Sequence, residues 1–236
     1  MADGAEILLS EGQAHYLLNV MRLSAGATVA LFNGRDGEWR ARITEAAKKK
    51  VRLAVTELLR PQQAEPDLWL LFAPVKRARI DLIVEKATEL GVSRLQPVFT
   101  ERTAMTRIGE ERLRAIAIEA AEQCERLGAP ELRPALPLSR VLAEWPAERK
   151  LLLLDESGAG RPIAEALGAM APGSAALLVG PEGGFTKSEL DAFGRLVFAT
   201  RVGMGRRILR ADTAVIAALA CFQAICGDWR QTPPQT

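Results

Sequence analysis

Two loops near the C-terminal end of this 236-residue chain hold most of the residues that could do chemistry. The first is Gly180-Pro181-Glu182-Gly183-Gly184, at the end of the apolar run Ala175 to Val179. Three glycines in five positions let the backbone take positive φ and come close to a ligand, and a side chain at Gly183 would fill that approach path. The second loop reads Val202-Gly203-Met204-Gly205-Arg206-Arg207-Ile208-Leu209-Arg210-Ala211-Asp212-Thr213-Ala214. From Ala192 to Ala211 there are five arginines, Arg195, Arg201, Arg206, Arg207 and Arg210, and no acid. Neither loop has the G-x-x-x-x-G-K-[ST] pattern of an ATP-cradling loop, and neither has G-x-G-x-x-G after a strand, so the motifs point away from an ordinary dinucleotide site. The plainer alternative is a pair of strand-to-helix turns.

The elements around these loops must place them side by side. Thr186 and Glu189 form a T-x-x-E capping box, so a helix starts after the first loop. Leu196 to Val202 reads as the strand that feeds the second loop, and Asp212 or Thr213 is the expected cap of a last helix running to about Ile225. Upstream, strands at Leu68–Ala73, Leu95–Phe99 and Lys150–Leu154 alternate with helices. One helix has Ile80, Ile83, Val84, Ala87 and Leu90 at helical spacing and Gly91 as its stop. Another runs from Leu113 to Leu127 and is closed by Gly128, and a short one lies near Ile163–Ala169. That alternation predicts an α/β fold, a mainly parallel sheet with helices on both faces, where ligands bind at the carboxyl ends of strands.

The first sixty residues read differently. Ser10 and Gln13 make a capping-box pattern before a short helix. Short strands follow at Thr28–Phe32, Glu38–Ile43 and Val51–Val55, with N-G and D-G turn signals in Asn33-Gly34-Arg35-Asp36-Gly37, which together predict a small β-barrel. Pro61 to Pro66 is a linker, so the domains are expected at 1–67 and 68–236. His15 is expected to pack or hydrogen-bond, and Tyr16 and Trp39 to lie in the core.

Composition narrows the class. Apolar residues make up 48% and charged residues 25%, as in a globular protein, and the net charge of +2 sets up no global field. Cys124, Cys221 and Cys226 form no C-x-x-C pair, which fits a reducing compartment, and Cys124 and Cys221 sit among apolar helical neighbours. A single histidine excludes a histidine-built metal cluster in one chain. With no signal-peptide pattern and no membrane-length apolar run, a cytoplasmic protein without metal is expected.

Taken together, GPEGGFTKSEL and RVGMGRRILRADTA resemble the paired signature of the bacterial 16S ribosomal RNA uracil-N3 methyltransferases of the SPOUT class. Glu85 to Val92, Thr100-Glu101-Arg102, Ala120 to Arg126, His15 to Leu23 and FNGRDGEW match that family in order, so the resemblance covers nearly the whole chain. Ala211 and Asp212 depart from the family, which usually has threonine and glutamate there. The resemblance implies a trefoil-knotted methyltransferase domain, a PUA-like RNA-binding barrel, S-adenosylmethionine as donor, 16S ribosomal RNA or the small subunit as substrate, and a homodimer with sites at the subunit interface.

It also suggests roles. Leu154, Leu178, Gly180, Glu182, Gly183, Gly184, Met204, Gly205, Ile208 and Leu209 would hold the donor, in a slot with apolar walls and backbone hydrogen-bonding groups. Uracil N3 is protonated at neutral pH, so transfer needs proton removal or stabilisation of the anion that forms. Arg210 would stabilise that anion, and Asp212 and Glu182 are the candidate bases. Arg22, Arg35, Arg40, Lys48, Lys49, Arg102, Arg126, Arg206 and Arg207 would contact RNA, with Arg42, Lys50 and Arg52 extending the barrel's basic face. Arg195 and Arg201 are read as surface or pairing residues. The alternatives are methylation of another RNA site such as a ribose 2′-hydroxyl, or a non-catalytic RNA-binding assembly factor.

Overall fold

The computed structural model describes residues 1–47 and 50–230. The chain divides between Ala64 and Glu65, within the proline-bearing stretch Pro61–Pro66. The first unit contains β1 (Glu6–Leu8), α1 (Glu11–His15), a π-helical turn (Tyr16–Val20), β2 (Thr28–Phe32), β3 (Glu38–Ala47) and β4 (Lys50–Arg60). Its strands form one antiparallel sheet in the order β1-β4-β3-β2, of small-barrel type. Alternation sets its inner face: Ala41, Ile43, Val51, Leu53 and Ala14 are buried together. The Ser10–Gln13 capping box forms in both directions. Asn33 Oδ1 accepts from the N–H groups of Arg35 and Asp36 at 3.1 and 2.9 Å, an Asx turn that reverses the chain between β2 and β3.

The aromatic and histidine expectations for this unit need correction. Tyr16, in the π-helical turn, is 49% exposed, and His15, the last residue of α1, is exposed. Trp39 is half-buried, and its indole N–H donates to the Asp36 carbonyl at 2.8 Å.

The second unit alternates strand and helix. It begins with β5 (Leu68–Phe72), α2 (Arg77–Glu89), β6 (Arg94–Phe99) and α3 (Glu110–Gln123). Two short strands follow, β7 (Glu131–Leu132) and β8 (Leu136–Pro137), then α4 (Leu138–Ala143), β9 (Lys150–Leu154), β10 (Arg161–Pro162) and α5 (Ile163–Gly168). It ends with β11 (Ala175–Val179), α6 (Lys187–Phe193), β12 (Ala199–Gly203) and α7 (Ala211–Ile225). The sheet runs β10-β12-β9-β11-β5-β6-β7, with β8 beside β6, and every pairing is parallel.

Both faces of this sheet are covered, so its central strands are apolar throughout. On β11, Ala175, Leu177 and Val179 pack with Ile80 and Ile83 of α2 and Val215 of α7. Ala176 and Leu178 point the other way, toward Leu138 of α4 and Phe193 of α6. Among the described residues no helix is long and apolar enough to cross a membrane.

The end of α2 is a junction. Gly91 takes φ +77 and stops the helix. The last carbonyls of a helix need outside donors, and here two distant side chains supply them. Gln223 Nε2 donates to Leu90 O at 2.6 Å, and Arg126 donates to the carbonyls of Thr88 and Val92. Three boundaries differ from the sequence expectation. The second helix ends at Gln123, and Glu125, at φ +59, takes the left-handed position expected near Gly128. β12 starts at Ala199 rather than Leu196, since Arg195, Leu196 and Ala199 N–H groups bond back in turns. The N-cap of α7 is Arg210, without a side-chain capping bond; Asp212 and Thr213 are already helical.

Candidate functional site

β12, β9 and β11 lie side by side, so the loops leaving their carboxyl ends converge. With Arg79 of α2 and the start of α7, they wall a cavity of about 840 Å³. The loop after β9 contributes Leu154 to Gly158 and Gly160, the loop after β11 Gly180 to Glu182, Gly184 and Phe185, and the loop after β12 Met204 to Arg210. A cavity of several hundred Å³ with apolar walls and a few polar groups suits a nucleoside-sized ligand.

The loop after β11 is held from four sides. Arg102 Nη1 donates to the Gly183 carbonyl at 2.8 Å. Arg79 Nη1 donates to Glu182 at 2.5 Å. Phe185 packs edge-on against Phe193 with centroids 5.7 Å apart, and its ring lies so close to Gly180 that a Cβ there would stand 2.7 Å from it. Glu189 completes the cap on Thr186 and also accepts from the Glu101 N–H at 3.0 Å. Gly184 sits at φ +65, which a residue with a Cβ adopts only at a cost.

The loop after β9 is fixed by a buried acid. The Asp155 side chain is 2% exposed; it accepts from the Ser157 N–H and hydroxyl, and from Arg201 Nε and Nη2 at 2.9 and 2.6 Å. Burial pushes its carboxyl upward, but the Ser157 and Arg201 donors together outweigh that and hold it below the usual aspartate value. Gly160 lies directly on β12: a Cβ there would stand 2.6 Å from the Val202 carbonyl carbon and 2.7 Å from the Gly203 nitrogen. The loop after β12 contrasts with both. Arg206, Arg207 and Arg210 are exposed, and among the described residues their guanidinium groups take no hydrogen bond or salt bridge.

Of the donor-site residues expected from sequence, Leu154, Gly180, Glu182, Gly184, Met204, Gly205, Ile208 and Leu209 line the cavity, and so does Arg210. Leu178 does not: the strand pleat turns it into the opposite core and puts Val179 on the cavity side. Gly183 does not line it either; a Cβ there would face Arg102 at 3.6 Å. Asp212 lies outside the cavity, with a buried Oδ1 that has no hydrogen-bond partner among the described residues. Glu182 is paired with Arg79, which limits it as a base.

The residues expected to meet RNA also divide. Arg206 and Arg207 edge the cavity. Arg126 is a structural post, with a side chain 10% exposed and its guanidinium engaged by Thr88, Val92 and Glu65. Arg102 is exposed but braces the loop after β11. In the first unit, Arg35 pairs with Asp36, Arg40 with Glu57, Lys50 with Glu45, and Arg52 with Glu6 and Glu45, so much of the basic face is neutralised. Arg22 is exposed at φ +55. Lys48 and Lys49 lie outside the described residues. Sequence reasoning missed Arg79, Gly160 and Phe185; the phenylalanine alone had a local signal, since it follows the glycines directly.

A backbone-walled cavity across three adjacent parallel strands, edged by unpaired guanidinium groups, defines an α/β protein built to hold a nucleoside-like ligand beside an anion. Known proteins agree with that class. Residues 62–223 match the family model described as the RNA methyltransferase domain, and residues 9–56 match the RNA methyltransferase PUA domain. The chain therefore belongs to this family of RNA methyltransferases. It is 31% identical to the ribosomal RNA small subunit methyltransferase E of Rickettsia conorii, over 93% of this chain and 90% of that protein. It is 33% identical to the protein of that name from Synechocystis, over 94% of this chain and 74% of that one. The ribosomal RNA small subunit methyltransferase E of Neisseria gonorrhoeae, solved bound to S-adenosyl methionine, superposes with a TM-score of 0.86 at 28% identity, over 97% of this chain and 95% of that one. A structure from Legionella pneumophila in complex with the bound cofactor SAM gives 0.82 at 30% identity over the same shares.

Proposed function

We propose that this protein transfers the methyl group of S-adenosylmethionine to N3 of one uridine in 16S ribosomal RNA of the small subunit, in the cytoplasm. The observation that carries the reading is the joint cavity. Glycine-rich backbone from the loop after β11 faces an arginine loop after β12, with Leu154, Met204 and Leu209 as apolar walls. Backbone groups of Gly180 to Glu182 and Met204 to Leu209 would hold the donor, whose sulfonium supplies an electrophilic methyl when bound. Arg210, at the N-terminal end of α7, would meet the negative charge that spreads onto the uracil oxygens as N3 loses its proton. Arg206 and Arg207 would hold phosphates of the RNA, which a protein makes use of for register and orientation.

The active species in this proposal is a homodimer. The buried Asp212 Oδ1 lacks a donor among the described residues, and such a group costs about 1–3 kcal/mol. That oxygen is closed off within a single chain, so no partner group reaches it, and the homodimer is carried here by the resemblance to the family alone. Light scattering should then give twice the chain mass. The chemistry is tested by incubating small-subunit RNA or particles with labelled donor and digesting to nucleosides. N3-methyluridine is expected; a ribose-methylated nucleoside, or no incorporation with donor still bound, would overturn the reading.

A further inference from the structure

We infer that Glu156 is the carboxylate that takes the N3 proton, and that the uracil sits in a small side lobe between Phe185 and Ile208. This rests on the reaction proposed above. The side lobe, about 430 Å³, opens beside the main cavity and shares Asp155, Glu156, Ser157, Glu182, Phe185 and Ile208 with it. A group seated in one lobe therefore borders a ligand in the other. Phe185 offers an aromatic face, and Ile208 is 78% exposed at the rim. Bases outside a helix stack well on such surfaces.

Three carboxylates meet at that border, and two are engaged. Asp155 gives both oxygens to Ser157 and Arg201. Glu182 is held by Arg79. Glu156 alone of the three has no hydrogen bond or ion pair among the described residues. Its position is nonetheless defined: Oε1 lies over Gly184, 2.0 Å from where a Cβ would stand. Only glycine leaves that space at the turn. The remaining charges around the border are Arg206, Arg207 and Arg210 on the loop after β12.

The step balances within these groups. The N3–H proton moves to a Glu156 oxygen. The freed N3 pair bonds the methyl carbon, and the pair of the broken carbon–sulfur bond returns to sulfur. The proton then leaves Glu156 to water through the open rim. Arg210 meets charge on the uracil oxygens while the proton is in flight.

The test compares wild type with Glu156→Gln on small-subunit RNA. Wild type must first yield N3-methyluridine; if it does not, the proposed reaction falls, which is a separate failure. Given that product, Glu156→Gln should slow turnover about 100-fold or more at neutral pH. Calorimetry should show donor affinity, and anisotropy RNA affinity, within about twofold of wild type, which also shows that the variant is folded. Without the carboxylate only ionised uracil reacts, so the residual rate should climb about tenfold per pH unit, while the wild-type rate stays flat. RNA transcribed with 5-fluorouridine, whose N3–H is more acidic, should restore the variant far more than it helps wild type. An unchanged rate, a slow rate that neither pH nor fluorouracil recovers, or a lost donor affinity would each overturn the assignment.

Discussion

The loops after β11 and β12 face each other across one cavity and are built on opposite plans. The first is tied at Glu182, Gly183, Phe185 and Thr186 to side chains from α2, α6 and the segment after β6. The second packs Met204 and Leu209 against the core but carries three exposed guanidinium groups and an exposed isoleucine, and among the described residues its side chains make no hydrogen bond or ion pair. A wall that must present fixed backbone groups gains from bracing, because ligand binding then costs little ordering. A wall of free cations gains from the reverse, since an internal counter-ion would compete with the substrate's phosphates and developing charge. In the proposed reaction, the contrast separates a braced wall that serves the donor alone from a wall that serves the donor with its backbone and the RNA with its free cations.

The sharpest way to break that contrast is Arg210→Ala. Among the described residues no partner depends on this side chain, so stability should hold and donor affinity should change little. Turnover should fall about 100- to 1000-fold, the usual loss for one group that meets transition-state charge. Single-turnover rates with calorimetric donor affinity test this. Equal losses in both would move Arg210 to the donor side.

Gly160→Ala attacks the braced side through the backbone. Its Cβ would meet main-chain atoms of β12, not a side-chain end that can swing away. The β10–β12 pairing must open, at about 1–3 kcal/mol. Urea unfolding should show that loss, and donor affinity should fall with it, because the loop after β9 is displaced. A variant with unchanged stability would mean the close approach of loop and strand is not required.

How much of this was legible from sequence depends on what each signal reports. The capping boxes at Ser10 and Thr186 are local and appear in full. The apolar runs gave β5, β9 and β11 because parallel central strands bury both faces. Periodicity does not report lateral order, so nothing local said that β12 lies against β9 and puts Gly160 on Val202. The same limit hid Arg79, which reaches Glu182 from 103 residues away. Leu178 and Val179 are alike in hydrophobicity, and strand phase, which composition does not report, decides which of the two meets the cavity. Arg126 looked like an RNA contact because charge alone does not reveal that carbonyls at the end of α2 need a donor.

Arg201→Ala tests the second brace with a smaller effect. Asp155 would keep its Ser157 bonds and lose its charged partner, at a cost of about 1–2 kcal/mol near neutral pH. The sign with pH follows from the folded carboxyl lying below its usual value despite burial. That stabilisation is present above the ordinary aspartate range and is lost as pH falls through the folded value. The gap between wild type and variant should therefore narrow as the solution is acidified below about pH 4. A gap that widened in acid would contradict the pairing.

The finest test sets two neighbouring glycines against each other. At Gly184 the backbone is left-handed and Glu156 covers the Cβ position, so alanine should cost about 1–2 kcal/mol and weaken donor binding. At Gly183 φ is not positive, and a Cβ would make ordinary contact with Arg102 at 3.6 Å, away from the cavity. Gly183→Ala should stay within about 0.5 kcal/mol of wild type with donor affinity intact. If instead Gly183→Ala were the damaging change, backbone approach to the donor would have to run through Gly183. The braced loop would then face its ligand with the surface now turned to Arg102, and the division between the two walls would need to be redrawn.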